Sequence, residues 1–309
     1  MFRYALRRIL MMVPTLVGST FLVYLLVFLI PGDPVTRLAG GEKRLSDSTI
    51  SAIRDQYNLD DPFVVQYAKY LWGVLHGNFG HDFNGNSVSA LIATALPYTV
   101  VLALSAFVLK LVIGVWLGVW AGLRQGRMPD KLNLLFTIFF LAVPGFIIAY
   151  FSQYVFGIKL HWLPISGVQA GFPLAFVMPA LVLALETASP LARLSRTSLV
   201  DTMRSDYIVT ATAKGLAPRR IMWVHALRNA FMPVVTYLGL SMAALLGGSV
   251  LIETIFNLPG LGGTLARAID TQNGPVVVGV SVFLLLFYLV AALVVDLLYP
   301  IIDPRVRHV

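Results

Sequence analysis

The sequence of 309 residues has no cysteine, which excludes disulfides and thiolate metal sites. It is also poor in charge: Asp, Glu, Lys and Arg make up 12% of it, against about 25% in soluble globular chains. With 58% hydrophobic residues, such a chain belongs in a bilayer. No G-x-x-x-x-G-K-[ST] run occurs, so the chain has no phosphate-cradling loop of its own. His76, His81, His161, His225 and His308 form no H-E-x-x-H pair, and their spacing suggests no zinc site. Ser249 sits in LLGGSVL, but Leu251 stands where a nucleophile elbow needs its second glycine. Gly247 and Gly248 suit close helix packing instead. No catalytic residue, metal site or cofactor of its own is expected, and the chain is not expected to be an enzyme.

What is abundant is long apolar runs. Six stretches, 9–30, 96–123, 132–156, 173–191, 231–252 and 276–302, are each long enough to span a bilayer, which takes about 20 residues as helix. The first, third and fifth lack charge, and the others carry one ionisable residue each: Lys110, Glu186 and Asp296. No alternating strand pattern appears, which speaks against a transmembrane barrel. The expected fold is an all-α integral membrane protein of six transmembrane helices, read as one domain over residues 1–309 with no internal repeat. Arg3, Arg7 and Arg8 precede the first stretch as in a signal peptide, but its 22 residues are long for that role. PGDP follows it in place of a small-x-small cleavage site, so it is expected to stay as a span.

Lys and Arg set the orientation. With the N-terminus inside, fifteen of them fall in inner segments and seven in outer ones. Both termini are therefore expected in the cytoplasm. The net charge of +8 is topological and gives no ground for nucleic-acid binding.

Two loops exceed simple connections. In the outer loop 31–95, Ser46 and Asp47 can cap a helix bearing Ile50, Ile53 and Tyr57, and after Pro62 a second places Val64, Tyr67, Leu71 and Leu75 at helical spacing. They read as amphipathic helices, either capping the bundle or docking a soluble partner. The inner loop 193–228 contains TATAKGLAPRRIM. Leu199, Met203, Tyr207 and Ala211 continue a helical spacing up to Lys214. Gly215 suits the position just after a helix, and Pro218 the first turn of a helix carrying Ile221, Val224 and Leu227 into the fifth span. Such a helix–break–helix fits either the groove of a soluble partner or an interfacial connector with Arg219 and Arg220 at acidic headgroups.

DYIVTATAKGLAPRRI…HALRNAFMPVV resembles the cytoplasmic loop of ATP-binding-cassette importer permeases in its peptide-permease form. The sugar-type pattern fits less well, because Val209 stands where that pattern has Glu, and His225 and Arg228 where it has Ile and Pro. RRILMMVPTLVGSTFLVYLLVFLIPGDP, LDDPFVVQYAKYLWGVLHGNFG, ETIFNLPGLGGTLARAI and DPRVR resemble other segments of the first permease of dipeptide and oligopeptide importers. The resemblance thus runs nearly end to end.

It implies a multi-pass subunit of the cytoplasmic membrane that imports short peptides, or within the same family another small polar solute such as a nickel chelate or glutathione. Its implied partners are a second homologous permease, one or two ATPase subunits that bind the ATP and Mg, an extracytoplasmic substrate-binding protein, and membrane lipid. The inner motif would be the coupling helix, carried by Ala211, Ala213, Lys214, Gly215, Leu216, Ala217, Pro218 and Arg219. A stand-alone secondary transporter would leave that motif unexplained and would often show internal repeats.

Lys110 and Glu186 are expected to avoid lipid, since a charge at the bilayer centre costs at least about 2.5–3.5 kcal/mol. Counted from Leu96, Lys110 lies near mid-depth, where it would face a translocation cavity. Glu186, seven residues before Arg193, lies about 10 Å from the inner surface as a gate residue.

Overall fold

The computed structural model describes residues 2–28, 51, 54, 58, 60–82 and 85–302. The elements run α1 (Phe2–Phe28), α2 (Phe63–Leu75), α3 (Val88–Leu123), α4 (Met128–Ala142) and α5 (Gly145–Ser152, continued by a π-helical stretch Gln153–Lys159). They continue as α6 (Leu174–Met203), α7 (Asp206–Ala213), α8 (Pro218–Arg220, continued by a π-helical stretch Ile221–Ala226), α9 (Leu227–Ile255), α10 (Leu261–Asp270) and α11 (Gly274–Ile302). The expected helix around Ile50, Ile53 and Tyr57, the PGDP and DPRVR segments, and the side chain of Asp296 lie outside the described residues, as do the surroundings of Gly247 and Gly248.

Among the described residues, α3, α6 and Gly274–Val295 of α11 are long and apolar enough to cross a membrane. Met128–Ala142 and Gly145–Lys159 meet at 99° and make a fourth candidate if the bent pair is one span. The single helix expected over 132–156 is therefore broken. Val143 is extended (φ −90°, ψ 118°), as a residue before proline prefers, and Pro144 has no N–H with which to continue α4. α1 and α9, with 27 and 29 residues, are long enough to cross by length alone.

The chain packs as two compact units. The first is Met1–Val100 with Asn257–Leu293. Its core joins aliphatic side chains such as Val88, Ile92, Leu261 and Val280 to an aromatic group: Tyr67 sets its ring edge-on to Phe21, with centroids 5.2 Å apart, and Tyr24 tilts over Tyr70 at 5.2 Å. The Tyr67 hydroxyl donates to the Val17 carbonyl at 2.9 Å and lies 2.8 Å from Thr20 Oγ1. This fixes which side of α2 faces inward. Gln66, Tyr67 and Val74 are buried, whereas Val64 and Leu75 are exposed. The expected apolar face at Val64, Tyr67, Leu71 and Leu75 is thus rotated, because the tyrosine that must bury both ring and hydroxyl decides the register. At the start of α10, the Leu261 N–H donates to Thr99 Oγ1 at 2.8 Å.

The second unit is Val101–Phe256 with Val294–Val309. α6 lies at its centre, packed on α9, α4 and α5. Gly114, Gly118 and Gly122 make a stripe along α3 against α6, where an added Cβ would meet Leu191, Ser195 and Leu199 in turn. Small residues at this spacing let helix backbones approach closely in lipid. At the inner end, Arg196 of α6 grips Asp130 of α4 with two bonds, Nε to Oδ1 at 2.9 Å and Nη2 to Oδ2 at 2.8 Å. The Gly126 N–H donates to the same carboxylate at 2.9 Å, drawing the α3–α4 turn into the pair.

Candidate functional site

The inner helix–break–helix is built from local signals. Helix α6 stops at Met203, and Ser205 is extended (φ −72°, ψ 149°) before α7. The continuous helix expected from Leu199 to Lys214 is therefore interrupted. Its proposed face divides too: Leu199 and Ala211 are buried, but Met203 and Tyr207 are exposed. Asp206 in the first turn of α7 suits the positive end of the new helix.

α7 ends on Gly215, whose φ of 75° few other residues adopt without strain. The Gly215 N–H reaches the Thr212 carbonyl at 2.9 Å and the Leu216 N–H the Ala211 carbonyl at 3.3 Å, the paired closure of a Schellman turn. Ala217 is extended (ψ 136°) and Pro218 opens α8. Leu199, Ile208, Ala211, Ile221, Ala226, Leu227 and Ala230 form one buried cluster, with Leu216 packed against it. Ala211 is therefore a packing residue that anchors the motif. Ala213, Lys214, Gly215, Ala217, Pro218 and Arg219 are exposed. Beside them Val209 (61% exposed) and Trp223 (68%) present apolar surface that the sequence reading did not single out.

Deeper in the same unit, Lys110 and Glu186 line one cleft of about 520 Å³, together with Gly145, Thr187, Tyr237 and Ser241. The Lys110 side chain is completely buried. Its ammonium donates to Ser241 Oγ at 2.5 Å and stands 5.1 Å from the centroid of the Tyr237 ring. Ser241 in turn donates to the Leu238 carbonyl at 3.1 Å, leaving its oxygen lone pairs for the lysine. Glu186 is exposed, and its carboxylate lies against Gly145, where a Cβ would collide with it. Gly145 is the first residue of α5, so the carboxylate faces a helix N-terminus. No ion pair joins Lys110 and Glu186 among the described residues.

Beyond the cleft, α6 continues through Arg193 to Met203, so the helix outlasts the apolar stretch 173–191. Tyr237 and Ser241 were legible as polar residues four apart on an apolar span. Nothing in the sequence paired them with Lys110.

A multi-helix membrane unit with charged side chains in an internal cleft and an exposed cationic helix break has the form of a transport permease. Residues 114–308 match the family described as binding-protein-dependent transport system inner membrane component, and residues 1–103 match its N-terminal region. A glutathione transport system permease protein of Salmonella paratyphi A is 36% identical over 309 residues, covering 100% of both chains. A Sinorhizobium fredii protein named for peptide ABC transporter permeases is 34% identical over 312 residues, covering 99% of each. Among solved structures, a chain of the inward-facing MetNI methionine ABC transporter shares the fold, with a TM-score of 0.54 at 17% identity over 69% of this chain and 96% of that one. The chain belongs to the binding-protein-dependent transport family: it is a permease subunit of an ABC importer, a multi-pass protein of the inner membrane. As a permease component it is not itself an enzyme.

Proposed function

We propose that this subunit pairs with a second, homologous permease to import short peptides, glutathione-sized or dipeptide-sized, driven by one or two ATPase subunits and fed by an extracytoplasmic binding protein. ATP and Mg would be held by the ATPases, with no cofactor in this chain. The observation that carries the reading is the full-length similarity to relatives named for glutathione and peptide transport.

The run from Ala213 to Arg219, exposed except at Leu216, is the coupling surface, with Val209 and Trp223 as apolar anchors in an ATPase groove. The buried cluster joins that surface to α6 and α9. Those same helices carry Glu186, Tyr237 and Ser241 to the cleft. A displacement of the loop therefore moves the cleft walls, which is the mechanical requirement of alternating access. Lys110 and Glu186 serve the solute path, Lys110 as a cation that a passing carboxylate can meet.

The test is reconstitution of the whole transporter in vesicles with its binding protein, following uptake of labelled glutathione and dipeptides. ATP-dependent uptake is expected, and the isolated chain should show no ATPase activity. Hydrolysis by the isolated chain, or uptake independent of ATP, would overturn the reading.

A further inference from the structure

We propose that the seam between α4 and α6 binds an anionic phospholipid of the inner leaflet, independently of which solute is carried. The inner end of the seam is a pocket of about 450 Å³ lined by Lys131, Asn133, Thr137, Arg193, Arg196 and Thr197, together with Asp130. Asp130 is already matched by Arg196 in the two-bond pair. Lys131 and Arg193 have no ion-pair partner among the described residues, so two cations remain for one anion. Asn133 is 4% exposed, and its Oδ1 is buried without a hydrogen-bond partner. An unpaired acceptor calls for a donor, which a phosphodiester lacks and the glycerol hydroxyls of a phosphatidylglycerol headgroup supply.

Position favours a lipid phosphate over a soluble anion. The pocket flanks the inner ends of the stretches 132–156 and 173–191, where headgroups lie. Further along the same two helices opens an apolar cleft of about 740 Å³, walled by Phe139, Phe140, Met178, Leu181 and Leu185 among others. From Arg193 to Leu185 is eight residues of α6, about 12 Å along its axis. A phosphodiester held at Lys131 and Arg193 therefore directs its acyl chain into the cleft. Free phosphate would use the polar end alone.

Native mass spectrometry of the whole transporter, taken from vesicles of mixed phosphatidylethanolamine and phosphatidylglycerol, tests this. Phosphatidylglycerol should persist on the complex through delipidation, and Lys131→Gln with Arg193→Gln should weaken that retention about thirtyfold. Lys159→Gln, at the other end of the unit, should leave it unchanged. Phosphatidylglycerol retained equally by the double variant would overturn the proposal, as would its displacement by millimolar inorganic phosphate. A photo-crosslinker at Phe139 should capture lipid. Capture of the companion permease there would instead assign the seam to a protein contact and also overturn it.

Discussion

The Lys110 ammonium donates to Ser241 Oγ at 2.5 Å, joining α3 to α9 between residues 131 positions apart. One acceptor and one aromatic face do not exhaust an ammonium with three donors. The arrangement holds a buried cation in place with donor capacity to spare.

Lys110→Met keeps most of the length of the side chain but removes its charge. Membrane insertion should survive, and uptake should fall about tenfold or more, as expected for an intramembrane charge with a functional role. Ser241→Ala leaves the buried ammonium one acceptor short, costing about 1–3 kcal/mol, and should give partial loss. Lys110→Cys in this cysteine-free chain allows a water-soluble thiol probe. ATP-dependent labelling is expected, whereas protection in every state with full transport by Lys110→Met would remove Lys110 from the path.

Gly215→Val forces a β-branched residue into a left-handed backbone, at about 1–3 kcal/mol. No neighbouring atom lies within 4 Å of the missing Cβ, so within the chain the strain is conformational. The variant should insert normally yet lose coupled uptake or retention of the ATPase on purification. Gly215→Asn, which tolerates this region better, should recover much of the loss. Full coupling by Gly215→Val would reject the placement of the motif.

Gly118 contrasts with Gly18. A Cβ on Gly118 would strike the Ala192 carbonyl and Ser195, so Gly118→Val should destabilise the second unit by at least about 1–3 kcal/mol. Gly18 has open space around it, and Gly18→Ala should be neutral or slightly stabilising, as alanine is in a helix. Thermal aggregation of the purified transporter in detergent measures both.

Asp130→Asn removes charge-assisted bonds to Arg196, each side chain being largely shielded (15% and 26% exposed). The expected destabilisation is about 1.5–3 kcal/mol. Combining it with Arg196→Gln should cost less than the sum of the single changes, because the two share one interaction. Strict additivity in a double-mutant cycle would contradict the pairing.

The helix break at Gly215 and Pro218 was legible because both residues act through their own backbones, so three or four neighbouring letters suffice. The fate of Pro144 was not. A run of apolar residues reads the same whether it crosses straight or bends, and no charge marks the break. The apolar stretch stops at Leu191, yet helical hydrogen bonding carries α6 on through Arg193 and Arg196 to Met203. The stripe of Gly114, Gly118 and Gly122 was present in the letters, but its partner on α6 is a tertiary fact. The same holds for Ser241 and Tyr237, which lie far along the chain from the lysine they surround.

The bend at Val143–Pro144 has a consequence for hydration. A helix that ends inside a bilayer leaves its last carbonyls, and the next helix its first N–H groups, without intrahelical partners. The Val143 N–H bonds the Phe139 carbonyl at 3.0 Å and the Ile147 N–H the Pro144 carbonyl at 3.0 Å; other groups at the junction need another source. Hydrocarbon cannot supply one, and irregular backbone at this depth is sustained where water or protein reaches it. The bent segment therefore has a joint next to Glu186 that water or protein must satisfy; with water there, the amides of Gly145 and Phe146 should exchange with deuterium well ahead of those of α3.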